Sequence, residues 1–199
     1  PSMLFGLETA KAQLDAKGSI NLFNTSFGRG EEGITINGLV WMGSFDEMFQ
    51  RLEAKLTAGF RCVKLKIGAI DFKKEIELIR HIRQNFTRDR VELRVDANGA
   101  FAPEEAMQRL EALAQYDIHS IEQPIRQHQW QEMARLCADS PLPIALDEEL
   151  IGVNDPAEKA LLLDTIRPQY IILKPSLHGG MTGTREWITM AKERNIGSW

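Results

Sequence analysis

The run Cys62-Val63-Lys64-Leu65-Lys66-Ile67-Gly68 places two ammonium groups in an otherwise apolar stretch. Side chains alternate across a β-strand, so Val63, Leu65 and Ile67 share one face and Lys64 and Lys66 the other. Further along, β-branched runs end in Asp96, Glu122, Asp147 and Lys174, which follow one another at intervals of 26, 25 and 27 residues, and Lys66 precedes Asp96 by 30. Each interval has the length of one strand-and-helix unit, so these groups are expected at one height on successive strands.

Three carboxylates in one place repel one another and raise each other's pKa unless a positive charge compensates. A divalent cation does so, and three oxygen ligands from separate strands suit Mg²⁺ or Mn²⁺. Asp96, Glu122 and Asp147 are therefore the candidate metal ligands. A lysine with its ordinary pKa of about 10.4 is a poor base at neutral pH. A second ammonium, a nearby metal ion and desolvation all lower that value, which makes Lys66 the candidate general base. Lys64 becomes its modulator, or a contact for a substrate carboxylate, and Lys174 faces the same ligand from the opposite side. A carbon acid beside a carboxylate yields its proton to an amine only if the developing enediolate charge is stabilised. The chemistry expected is proton abstraction α to a carboxylate. The plainer reading makes each acid a helix cap or a surface ion-pair member; three acids in register with two lysines weigh against it.

The elements that would carry these groups alternate along the chain. Strand patterns fall at 39–43, 61–67, 91–96, 118–122, 143–147, 169–174 and 196–199, separated by helical periodicity. Helices are expected at 44–58, with Ser44 as N-cap, at 71–86, at 103–115 behind Pro103, at 128–138 and at 181–194, with a shorter one at 155–164. The alternation implies a parallel sheet. No GxGxxG or GxxxxGK[ST] follows the first strand, which removes the commonest open-sheet signatures. A closed β/α barrel of the TIM type brings five polar strand ends within reach of one small molecule, whereas an open sheet spreads them along an edge.

Composition agrees with a globular protein that has enough apolar material for a sizeable core. The 199 residues are 43% hydrophobic and 26% charged, with a net charge of −4 and a pI near 5.7. That acidic balance argues against nucleic acid or an anionic membrane as partner and leaves a small carboxylate as the expected ligand. Two cysteines without CxxC spacing give no disulfide framework or structural metal site, as expected for a reducing cytoplasm. No apolar run approaches the ~20 residues of a membrane span.

The phrases "VKLKIG", "RVDANGAF", "SIEQPI", "ALDEELIG" and "LKPSLHGG", in this order, resemble the enolase superfamily, and within it the muconate-lactonizing subgroup. The resemblance implies metal ligation by Asp96, Glu122 and Asp147, a general base at Lys66, its companion at Lys64 and an opposing lysine at Lys174; every one of these positions holds the residue type expected. It covers about residues 1–199. "INGLVWMG", "ALDEELIG" and "ILKPSLHGG" look most like the o-succinylbenzoate synthase family. That likeness implies dehydration of 2-succinyl-6-hydroxy-2,4-cyclohexadiene-1-carboxylate in menaquinone biosynthesis. It also implies a substrate-side place for Arg94 and an orienting role for Asn98 in its loop. Ser176, two residues after Lys174, is expected to point to the barrel mouth.

Other conspicuous residues carry less. His178 is read as a solvated loop histidine ahead of a substrate contact, and Trp41 as a core residue of the first strand ahead of a pocket-lining one. Glu148 is expected to support the acids beside it or to begin a helix, and His119 to be structural. "FGRGEEG" at 27–33 reads as a linker. The domain boundaries expected are 1–33, the last helix of an α+β capping domain with its linker, and 34–199, an incomplete barrel of six strands and the start of a seventh. A polypeptide of 1–199 alone is expected to form an open barrel with little activity. Two alternatives to the lyase stay open: an N-acylamino acid racemase or dipeptide epimerase using Lys66 and Lys174 on opposite faces of one carbon, and a non-catalytic barrel fragment. The oligomeric state is also open, a homo-oligomer included.

Overall fold

The computed structural model describes residues 1–199. Helix α1 (Ser2–Asp15) is followed by six strand-helix repeats and a seventh strand: β1 (Gly38–Val40), α2 (Phe45–Thr57), β2 (Cys62–Lys66), α3 (Phe72–Asn85), β3 (Glu92–Asp96), α4 (Pro103–Ala114), β4 (Ser120–Glu122), α5 (Trp130–Asp139), β5 (Ile144–Leu146), α6 (Pro156–Ile166), β6 (Tyr170–Ile171), α7 (Gly180–Glu193) and β7 (Gly197–Ser198). The strands form one parallel sheet in the order of the chain. Sequential order is that of a barrel, since a doubly wound sheet reverses direction at its switch point. β1 and β7 form its two edges, so the sheet is a partial barrel.

Local signals place the helices. Ser44 and Glu47 form a reciprocal capping box at α2, Asp71 caps α3, Pro103 opens α4 and Asp155 caps α6; each satisfies, or removes, an orphan N–H of the first turn. The helices bury Met48 and Leu52, Leu78, Ile79 and Ile82, Leu110 and Leu113, and Met133 and Leu136 against the outer face of the sheet, where Val63, Leu65, Leu93, Val95 and Ile121 stand. Burying such a side chain contributes about 1.5–3 kcal/mol. That layer leaves Lys64 and Lys66 on the inner face.

Two boundaries depart from expectation. Regular pairing in β6 stops at Ile171, so Lys174 lies beyond the strand and not at its last residue. Helix α6 runs to Ile166 as a full-sized element, because Leu162, Leu163 and Ile166 all reach the core. Helix α1 has no buried residue and joins the rest through polar contacts: the Glu8 carboxylate accepts from the Met181 and Thr182 N–H groups and the Thr182 hydroxyl at the start of α7.

Candidate active site

The parallel register sets the height of the first three groups. Lys66 is level with Asp96, and Asp96 with Glu122. Asp147 stands one residue beyond β5, at the start of a short 3-10 turn, Glu148–Leu150. The side chains fall into two sets, one around Lys64 and Lys66 and one around Lys174. Lys66 Nζ donates to Asp96 Oδ2 and Asn98 Oδ1, each at 2.7 Å. Lys64 Nζ lies 2.7 Å from Glu122 and 3.2 Å from Asp96, and Lys174 Nζ pairs with Asp147. Asn98 Nδ2 in turn donates to Glu148 Oε1 at 2.8 Å, which links the loops after β3 and β5. Asn98 takes a φ of +45°, a left-handed conformation that asparagine tolerates better than most residues.

The electrostatics follow from crowding. Burial works to raise Asp96, but Lys66 and Lys64 outweigh it and hold its carboxyl below the ordinary range. Burial and the neighbouring Asp96 charge push Glu122 up to about 8, against the pull of Lys64. Burial works to lower Lys64, yet the attraction of Glu122 and Asp96 prevails and raises it. Asp96 and Glu122 thus shift in opposite directions, with Lys64 favouring the charged form of both.

The expected convergence of all three acids is not present in this arrangement, and no group of three metal-binding side chains stands ready-made. The reason is that lysines already neutralise the acids in separate places, Asp147 beside Lys174 and the other two around Lys64. Two observations nonetheless fit this donor set to a divalent cation. Lys64 puts a positive charge between Asp96 and Glu122 where the carboxylates crowd, and Asp147 Oδ1 is buried with no partner, a costly condition for a carboxylate oxygen.

Supporting groups absent from the sequence reading surround the network. Gln123 is fully buried; its Oε1 accepts from the N–H groups of Asp147 and Glu149, and its Nε2 donates to Glu149 Oε2 at 3.3 Å. It therefore fixes the backbone that presents Asp147. Its place in the sequence, directly after Glu122, was the available signal. Glu75 of α3 is also fully buried. Its Oε1 accepts from Gly68, Ala69 and Ile70, at 2.6 Å for Gly68, and so gathers the loop that follows Lys66; burial raises its pKa.

Three side chains stand elsewhere than expected. Trp41 is 57% exposed, because β1 ends at Val40, and its ring lies 5.3 Å from Lys66 Nζ; it borders the site and is not core. His178 is fully buried, not solvated. Arg94 is not delivered to the acids: it pairs with Glu92 at 2.6 Å and stacks on Trp199 at 4.2 Å. Those partners belong to the opposite end of the sheet, which draws the guanidinium away from the mouth. Ser176 engages through its carbonyl, which accepts from the Ser2 hydroxyl at 2.9 Å, and its own hydroxyl joins none of the acids. His119 packs against Tyr170 and Trp199, and Glu148 both opens a 3-10 turn and holds Asn98.

Comparison with known proteins places this geometry. The Enolase C-terminal domain-like family profile matches residues 47–199. The chain is 56% identical to the o-succinylbenzoate synthase of Desulfotalea psychrophila over 199 residues, covering 100% of this chain and 54% of that protein. It is 29% identical over 141 residues to an L-Ala-D/L-Glu epimerase of Francisella tularensis subsp. novicida, covering 70% of this chain and 38% of that protein. Among solved structures, MenC from Desulfotalea psychrophila superposes with a TM-score of 0.90 at 55% identity, over 98% of this chain and 54% of that one. The L-Ala-D/L-Glu epimerase of Bacillus subtilis superposes with a TM-score of 0.73 at 26% identity, over 83% of this chain and 45% of that one. The chain spans about half the length of the curated relatives it matches most extensively. With its sequential parallel sheet and its strand-end acids and lysines, the chain belongs to the Enolase C-terminal domain-like family.

Proposed function

We infer that this chain carries the catalytic half of a metal-dependent lyase that removes a proton α to a carboxylate and eliminates water. The substrate proposed is 2-succinyl-6-hydroxy-2,4-cyclohexadiene-1-carboxylate and the product o-succinylbenzoate, a step of menaquinone biosynthesis in the cytoplasm. The observation that carries this reading is the set of ion pairs at the strand ends: Lys64 and Lys66 of β2 with Asp96 and Glu122, and Lys174 after β6 with Asp147. The 56% identity to an o-succinylbenzoate synthase supports the lyase over other reactions of the same machinery.

Asp96, Glu122 and Asp147 are the residues that would hold Mg²⁺ or Mn²⁺, whose charge would stabilise the enediolate developing on the substrate carboxylate. Lys66 takes the α-proton on its Nζ. The C–O bond to the ring hydroxyl then breaks, and Lys66 returns the proton to the departing oxygen, so that water leaves and the ring becomes aromatic. Lys174 supports the developing negative charge as a cation from the other side. Lys64 and Lys66 share Asp96 Oδ2, and Lys66 must lose its own extra proton to act as a base, which weakens its ion pair with that carboxylate. Asn98, bound to Glu148, gives Lys66 a second hydrogen bond that does not depend on Asp96. The Trp41 ring borders the amine.

A racemase or epimerase reading draws on one observation, the presence of a lysine on each side of the acids, together with the epimerase relatives. Assay of the full-length protein separates the two. The lyase reading expects o-succinylbenzoate to form with Mg²⁺ and to cease with EDTA. Dehydration that proceeds equally with EDTA, or solvent deuterium entering dipeptides and N-acylamino acids faster than dehydration, contradicts it.

A further inference from the structure

Lys174 is the one lysine of the site that no regular strand holds, since β6 ends at Ile171. In a parallel ladder its N–H would go to a carbonyl of the neighbouring strand. Here that N–H donates instead to Nδ1 of His178 at 3.0 Å. The Lys174 carbonyl accepts from the N–H of the same residue, His178, at 3.1 Å and from Leu177 at 2.8 Å. His178 therefore closes a two-way clasp on the backbone of Lys174, with the ring satisfying the donor and the main chain satisfying the acceptor.

The clasp is built into the fold. His178 is fully buried, and burial pushes its imidazole well below its ordinary pKa, which keeps the ring neutral. A neutral ring that accepts at Nδ1 carries its proton on Nε2, so the tautomer is set by the bond to Lys174. The main chain beyond turns through Gly179 and Gly180 at φ values of +83° and +75°. A Cβ on Gly183 would stand 2.2 Å from the His178 carbonyl oxygen, so α7 abuts the clasp with no room to spare.

We propose that His178 is a positioning residue for Lys174: its neutral imidazole replaces the missing strand partner and so fixes the direction in which the Lys174 ammonium leaves the backbone. This rests on the lyase reading for the role of Lys174, but not for the clasp. Losing the acceptor while keeping the bulk should let the 173–178 turn wander and misplace the cation, whereas an acceptor at the Nδ1 position should keep it. Asparagine offers its side-chain oxygen at that position, and leucine fills space without one.

The test compares wild type, His178→Asn and His178→Leu in the full-length protein with Mg²⁺. It reads kcat and KM for dehydration, and hydrogen exchange of the Lys174 amide. His178→Leu is expected to lose tenfold or more in kcat with KM within about twofold, and its Lys174 amide to exchange at least tenfold faster; His178→Asn is expected to stay within about threefold of wild type in both. Equal losses in the two variants would make His178 mere packing and overturn the proposal, as would wild-type exchange in His178→Leu. If His178→Leu fails to fold, wild-type kcat and protection in His178→Asn support the clasp, and tenfold losses in that variant overturn it. A wild type without dehydratase activity would defeat the lyase reading alone, because amide exchange still decides the clasp.

Discussion

Lys66 and Asp96 occupy the same register position on adjacent parallel strands, and their side chains meet at 2.7 Å. The carboxylate that should bind a metal therefore also restrains the amine that should act as base. Loading a divalent cation onto Asp96, Glu122 and Asp147 should relieve the crowding that pushes Glu122 up to about 8. Binding to the folded state alone stabilises it by about 2.7 kcal/mol at a hundredfold excess over Kd. A rise of several degrees in the unfolding midpoint of the full-length protein is expected with Mg²⁺, and it should vanish in Glu122→Gln. An equal rise in that variant would remove Glu122 from the ligand set.

Gly68 sets the turn that follows Lys66. It has a φ of +88°, and a Cβ there would stand 2.4 Å from the Ala100 Cβ. Gly68→Ala should cost about 1–3 kcal/mol in stability from the strained conformation and the clash, and should lower dehydration more than the loss of fold explains. Denaturant unfolding with activity measured on the folded fraction checks both.

His178 also gives the fold an acid limit. Burial and the nearby Lys174 and Lys159 charges, opposed by Asp147, push its pKa down to about 4, from an ordinary value of 6.5. The unfolded chain binds a proton as pH falls below 6.5 and the folded chain resists until about 4, so stability from this group is intact above 6.5 and declines through that window. The loss should reach about 1–2 kcal/mol near pH 5, and His178→Asn should flatten it. Unfolding free energies at pH 7 and pH 5 decide; an unchanged difference in the variant rejects the assignment.

Neither cysteine should behave as a nucleophile. Burial pushes the Cys137 thiol up to about 12 and Cys62 up to about 11, and the thiolate is the reactive form. In native protein at pH 8 both should react with a thiol reagent at least tenfold slower than after denaturation. Rapid native labelling of Cys137 would mean that the α5 face opens readily.

The alternation of apolar and charged residues in 62–66 made the two faces of β2 legible from the sequence, because a strand's period of two leaves no other place for Lys64 and Lys66 once Val63 and Leu65 are buried. The intervals between Asp96, Glu122 and Asp147 likewise gave their places near the strand ends. What the sequence hid was contact made across long separations. Glu75 and Gln123 act through backbone N–H groups that carry no side-chain signature, and His178 owes its burial to the packing of α7 over its turn. Trp41 looked like core because its neighbours are apolar, yet β1 ends one residue before it. Arg94 has the right parity for the mouth but finds Glu92 and Trp199 at the other end of the sheet.

The central claim, that Lys66 moves the proton in a metal-dependent dehydration, is tested most directly by the turnover of full-length wild type and Lys66→Ala with saturating Mg²⁺. General acid-base catalysis contributes about 10²–10⁴-fold, so the variant should form o-succinylbenzoate at least a hundredfold more slowly while keeping its fold. A folded Lys66→Ala variant that turns over within about threefold of wild type would contradict the account.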